Sequence, residues 1–139
     1  MKTIATRIFA LLLLCGMTLA MASCFDRSGA IKAAFEEKGY TVEILTVDEN
    51  NDILAFFLDE EERARAAEYE MIYVSKTIHS GLIIKMPTVG DVREFYAIEN
   101  EDGTKDYSDY DAAVESGWVN GNCILFAVSA DVKGIFKNA

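Results

Sequence analysis

Apolar positions after residue 24 follow two spacings in turn. Ile31, Ala34 and Phe35 recur at i, i+3 and i+4 and predict a helix over 28–38, with Gly39 where a left-handed C-terminal cap is wanted. Residues 40–47 (YTVEILTV) are β-branched and aromatic and roughly alternate, which predicts a strand. Residues 53–58 (ILAFFL) fit a helical face through Ile53, Leu54, Phe57 and Leu58, and also a strand returning from the polar 48–52; the helix is preferred. Asp59 with Glu62 forms a capping pair for a second short helix ending at Ala67, with Glu60–Arg63 and Glu61–Arg65 spaced for surface ion pairs. Residues 70–77 and 82–86 read as strands joined by a turn over 78–81. Pro87 ends the second, and Thr88 caps a helix over 89–98 with Val92, Phe95 and Tyr96 inward. A polar connection over 99–117 follows. Asn120-Gly121 between apolar runs is a two-residue hairpin turn, since both residues tolerate positive φ. A strand to Val128 and a last helix capped by Ser129, carrying Val132, Ile135 and Phe136, complete the chain.

Hairpins imply antiparallel pairing, and each helix carries one apolar stripe. The expected fold class is α+β: a two-layer sandwich, a mainly antiparallel sheet with helices on one face. Strand plus helix recurs once, at LIIKMP and at CILFAV, which would suit a ferredoxin-like duplication. Met71, Tyr73 and Trp118 are assigned to the core. One domain over 24–139 is long enough to bury a core without staples.

The first 23 residues differ in kind. Lys2 and Arg7 are their only charges, and residues 8–20 (IFALLLLCGMTLA) are almost purely apolar. Thirteen helical residues span about 20 Å, short of a bilayer core of about 30 Å, so 1–23 reads as a signal peptide. Met21-Ala22-Ser23-Cys24 resembles the lipobox of bacterial lipoproteins, with Met21 departing from the usual Leu. The resemblance covers the leader alone. It implies lipid attachment at Cys24, by an acyl group such as palmitate, and an extracytoplasmic domain anchored to a bacterial membrane. Ala20-Met21-Ala22 is also an A-x-A site, and cleavage after Ala22 would release a secreted protein instead. Cys15 leaves with the leader either way. Cys123, in an apolar run, reads as a small core hydrophobe, although an unlipidated Cys24 would be free to pair with it.

Charge narrows the partners. The whole chain carries 13 basic and 23 acidic residues, a net −10; without Lys2 and Arg7, 11 basic residues remain against 23 acidic, a net −12. No basic cluster interrupts that balance, which disfavours nucleic acid and suits a monomer held to the membrane only by its lipid.

Chemistry is sparsely signalled. Glycine-rich phosphate loops, a nucleophile elbow, C-x-x-C and H-E-x-x-H are all absent. A Ser-His-Asp hydrolase would have to use His79, the one imidazole, which falls in the expected turn beside Ser80 and reads as a solvated turn residue. As a calcium loop, Asp48, Asn50, Asp52 and Asp59 take ligand places, but Ile53 stands where Gly is needed. The acidic stretch 99–111 (ENEDGTKDYSDYD) offers Asp102, Asp106, Asp109 and Asp111 as weak calcium candidates, and Tyr107 and Tyr110 as weak recognition candidates. The default for both segments is a solvated polar loop, with no metal and no cofactor. The expected function is a non-enzymatic, membrane-anchored lipoprotein acting as a binding or envelope-associated module of unknown ligand. The alternative is a secreted or tethered hydrolase using paired carboxylates.

Overall fold

The structure, a computed structural model, describes residues 26–46 and 51–139. The leader, Ala22, Cys24, Asp48 and Asn50 lie outside the described residues. In chain order the elements are α1 (Ser28–Glu37), β1 (Thr41–Leu45), α2 (Asn51–Phe57), α3 (Glu60–Ala66), β2 (Glu70–Lys76), β3 (His79–Lys85), α4 (Val89–Phe95), β4 (Ile98–Glu99), β5 (Lys105–Asp106), α5 (Ser108–Glu115), β6 (Val119–Asn120), β7 (Cys123–Ala127) and α6 (Ala130–Asn138). Five strands form one antiparallel sheet in the order β1-β2-β3-β7-β6, and β4 and β5 make a separate hairpin.

Local signals decide the element ends. Gly39 takes φ +83°, Gly39 N–H donates to Glu36 O and Tyr40 N–H to Phe35 O, and the Tyr40 ring stands edge-on to Phe35 at 5.2 Å. That is a Schellman end with its apolar contact. The capping boxes at Asp59/Glu62 and Thr88/Asp91 are both formed. Residues 53–58 are helical, as preferred, through Phe57.

The sheet is buried on both faces. Met71, Leu82, Ile84 and Ile124 point to one side and meet Leu54, Leu58, Ala66, Val92 and Ala113 from α2–α5 and their connections. Their neighbours Ile72, Val74, Ile83, Cys123 and Leu125 point to the other side and meet Ile31 and Phe35 of α1 and Val132 and Phe136 of α6. Side chains alternate across a strand, so consecutive buried residues such as Leu82-Ile83-Ile84 require cover on both sides. Helices on one face only is therefore corrected to helices on two. A ferredoxin-like duplication is not confirmed, because α4 and α6, the helices of the two repeats, lie on opposite faces.

Three further expectations shift. The β2–β3 turn is a tighter Thr77-Ile78 pair, with Thr77 at φ +52° and Lys76 opposite His79, so His79 opens a strand instead of sitting in a turn. The β6–β7 turn is Gly121-Asn122: Asn120 pairs with Cys123 because both Asn side chains are used inward. Asn122 donates to Met86 O at 2.9 Å and accepts from Arg27 N–H at 2.9 Å, while Asn120 donates to Phe136 O at 2.9 Å. Finally, 99–117 is no plain connection, since it holds the β4–β5 hairpin and α5.

Candidate functional site

The turn end of the sheet, on the α1/α6 face, carries the most concentrated polar chemistry. An open cleft of about 860 Å³ lies there, with Ala34 of α1 and Gly134 and Ile135 of α6 among its walls and Lys76 and His79 at the hairpin tip. Tyr40 is delivered to it by the Schellman end of α1. Burial pushes the Tyr40 phenol up from its ordinary range, and the Asp131 carboxylate adds to the shift. Lys76 donates its ammonium to Lys38 O at 2.7 Å, a cation at the negative end of α1. Glu37 and Lys38 also line the cleft, so its charged groups include Lys38 and Lys76 against Glu37 and Asp131.

His79 is placed by register. Gly81 pairs with Ala127, and two residues further along the strands His79 comes beside Ser129. His79 Nδ1 lies 2.8 Å from Ser129 Oγ, and its Nε2 lies 3.5 Å from Asp131 Oδ2. Ser129 stands at the N-cap of α6 without capping it, because its hydroxyl is engaged with the imidazole. Asp131 lies in the first turn of α6, where the helix dipole favours a carboxylate. The close seat of α6 depends on Gly81: a Cβ there would come 2.7 Å from Val132 Cγ1.

The acidic stretch is put to other uses. Asp102 accepts from Thr104 N–H and Oγ–H, and Asp106 accepts from Ser108 N–H. Those bonds hold both carboxyls below their usual range. Asp109 and Asp111 are exposed in the first turn of α5. Tyr107 donates to Glu94 at 2.7 Å under the Arg93 guanidinium, and Tyr110 packs 6.5 Å from the Tyr96 ring. Asp59 caps α3 and Asp52 lies in the first turn of α2. Among the described residues no three His, Cys, Asp or Glu side chains gather as metal ligands. Arg65 reaches Phe95 instead of Glu61, donating to its carbonyl at 2.7 Å. Cys123 is buried and free, and burial pushes its thiol up to about 12.

Sequence reasoning missed Ser129 and Asp131 as site residues, and it put His79 in solvent. The only available signal was a lone His and a Ser-x-Asp at a helix start, fifty residues apart. No protein-family model, curated protein or solved structure matches this chain. What the fold defines is an α+β domain with a five-stranded antiparallel sheet and helices.

Proposed function

We propose that the protein is a bacterial lipoprotein, tethered through acylated Cys24 on the extracytoplasmic side of a membrane, whose monomeric domain binds a small ligand in the α1/α6 cleft. The carrying observation is the cleft itself: its volume is that of a small-molecule site, and cations, anions and an apolar wall converge on it. Its charged lining balances within a chain of net −10, which suits a ligand bearing both charges and an apolar middle, such as a short peptide. Lys38 and Lys76 would meet its carboxylate, Glu37 and Asp131 its ammonium, and Ile135 its apolar part.

The position of Asp26 and Arg27, the first described residues, supports this reading. Arg27 hydrogen-bonds Asn120, Asn122 and the Ala139 carbonyl, and Asp26 pairs with Lys85, all where β3 ends and β7 begins. The cleft runs along α6 from Asn138 to Asp131, and its far end, at His79 where β3 begins, lies about 20 Å from Lys85 along six strand steps. A lipid two residues before Asp26 would therefore leave the hairpin end of the cleft the part farthest from the membrane.

The test is a thermal-shift screen of dipeptides and tripeptides against the protein and Gly134→Leu. Gly134 has open space at its Cβ, so a Leu there fills the cleft without displacing the fold. A ligand at a hundred times its Kd should add about 2.7 kcal/mol to wild type and nothing to Gly134→Leu. Equal shifts in both proteins would refute the cleft.

A further inference from the structure

Among the described residues, Ser129 and His79 bring a hydroxyl and an imidazole to hydrogen-bond distance with the Asp131 carboxylate nearby. An unactivated serine hydroxyl is a poor nucleophile. It becomes competent when a base accepts its proton and a third group fixes that base. Ser129 Oγ stands 2.8 Å from His79 Nδ1, within the range for such a transfer, and Asp131 lies 3.5 Å from the opposite nitrogen. A proton on Nε2, the nitrogen that faces Asp131, would leave on Nδ1 the lone pair that faces Ser129. The roles of the two ring nitrogens are exchanged relative to the familiar serine-protease arrangement, but both are equally able to take the proton.

The surroundings bear on what would be attacked. An adjoining shallow depression of about 370 Å³ is lined by Ile78, His79, Val128, Ser129, Ala130 and Asp131. Ile78 is 90% exposed and Val128 87%, the highest exposures of any large apolar side chains among the described residues. Neither contributes to the core. Together they offer an apolar wall beside the hydroxyl, and the uncapped amides at the start of α6 lie next to it.

We propose that Ser129 is an acyl-transfer nucleophile, activated by His79 and oriented through Asp131, acting on carboxylic esters with a small apolar acyl group. Ser129 Oγ attacks the carbonyl carbon while its proton passes to His79 Nδ1. The ester C–O bond then breaks, and His79 returns that proton to the departing alkoxide. Water enters, gives a proton to His79 and attacks the acyl-serine. The carboxylic acid leaves, and the proton goes back to Ser129 Oγ. The two sites share His79, Ala130 and Asp131, but ligand binding in the larger cleft needs neither Ser129 nor turnover, so Ser129→Ala separates the two readings.

The competing reading is a structural latch from the hairpin tip to α6, and it predicts no chemistry. The experiment follows p-nitrophenyl acetate and butyrate hydrolysis by the full-length protein in detergent, with peptide mapping of protein quenched during turnover. The expected result is an initial burst, an acetyl group on Ser129, and loss of enzymatic rate in Ser129→Ala. His79→Gln should lower kcat/KM by about a hundredfold. Asp131→Asn should cost less, because that carboxylate is largely exposed. Ser129→Cys should restore acylation, which separates a lost nucleophile from a damaged fold. A fluorophosphonate probe supplies a second readout on the wild type alone and should label Ser129. Equal rates for wild type and a folded Ser129→Ala, acyl groups found on lysine or tyrosine instead of Ser129, or no turnover and no label would each overturn the proposal.

Discussion

Replacing Gly81 with Ala tests how tightly α6, and with it Ser129 and Asp131, is seated on the sheet. The new methyl would lie 2.7 Å from Val132 Cγ1, 3.2 Å from Leu125 Cδ1 and 3.4 Å from Ala127 Cβ. The first distance is shorter than a carbon–carbon contact allows, so strand or helix must move. Overpacking of this size costs about 1–3 kcal/mol, while losing a glycine's unfolded-state freedom returns roughly 0.4–1 kcal/mol. The net expectation is a loss of about 1–2 kcal/mol. For a domain of this size that lowers Tm by roughly 4–8 °C. Gly134→Ala is the internal control, because its Cβ meets nothing within 4 Å and helix propensity improves by up to about 1 kcal/mol. Urea unfolding of both variants should therefore move the midpoint in opposite directions. Val132→Ala should partly rescue Gly81→Ala in a double-mutant cycle, with a coupling of at least about 0.5 kcal/mol. A Gly81→Ala protein as stable as wild type, or strictly additive mutations, would refute the packing argument.

Other expectations are more local. The Ser28 hydroxyl and amide, with Lys85 beyond them, hold the Asp26 carboxyl down at about 2 against an ordinary 3.8. Its stabilisation is therefore full well above pH 3.8 and lost as pH falls through about 2, so Asp26→Asn should be less stable than wild type at pH 7 and approach it only below about pH 2. Cys123, buried with its thiol raised to about 12, should resist iodoacetamide in the native protein and react on unfolding, as peptide mapping would show; rapid native labelling would contradict its burial. Cys24→Ser should shift the protein from the detergent phase to the aqueous phase without changing its melting curve. An unlipidated wild type beginning at Ser23 would establish cleavage after Ala22 instead.

Legibility followed sequence distance. Gly39, the Asp59/Glu62 box, the Thr88 cap and the helix preferred within 53–58 are decided within a few residues, and periodicity or cap chemistry located them; Asp91, the other half of the Thr88 box, was not singled out. Sheet cover was readable too, because Leu82-Ile83-Ile84 leaves no polar face, but attention to hairpins favoured a one-sided sheet. Turn positions failed by one or two residues where side chains had long-range partners, as with Asn122 and Met86. The His79–Ser129–Asp131 group was illegible for the same reason. It exists only through the β3–β7 register and the close approach permitted at Gly81, and neither leaves a trace near His79.

The central claim is that the α1/α6 cleft at the turn end of the sheet is where the domain meets its ligand. Residue-resolved amide NMR of the protein, titrated with whichever peptide stabilises it most, tests that claim most directly. Shifts should concentrate at Tyr40, Lys76, His79, Asp131 and Ile135, saturate with one ligand per chain, and vanish in Gly134→Leu. Shifts scattered over the acidic surface, or centred on Tyr107 and Tyr110 and unaffected by Gly134→Leu, would contradict it.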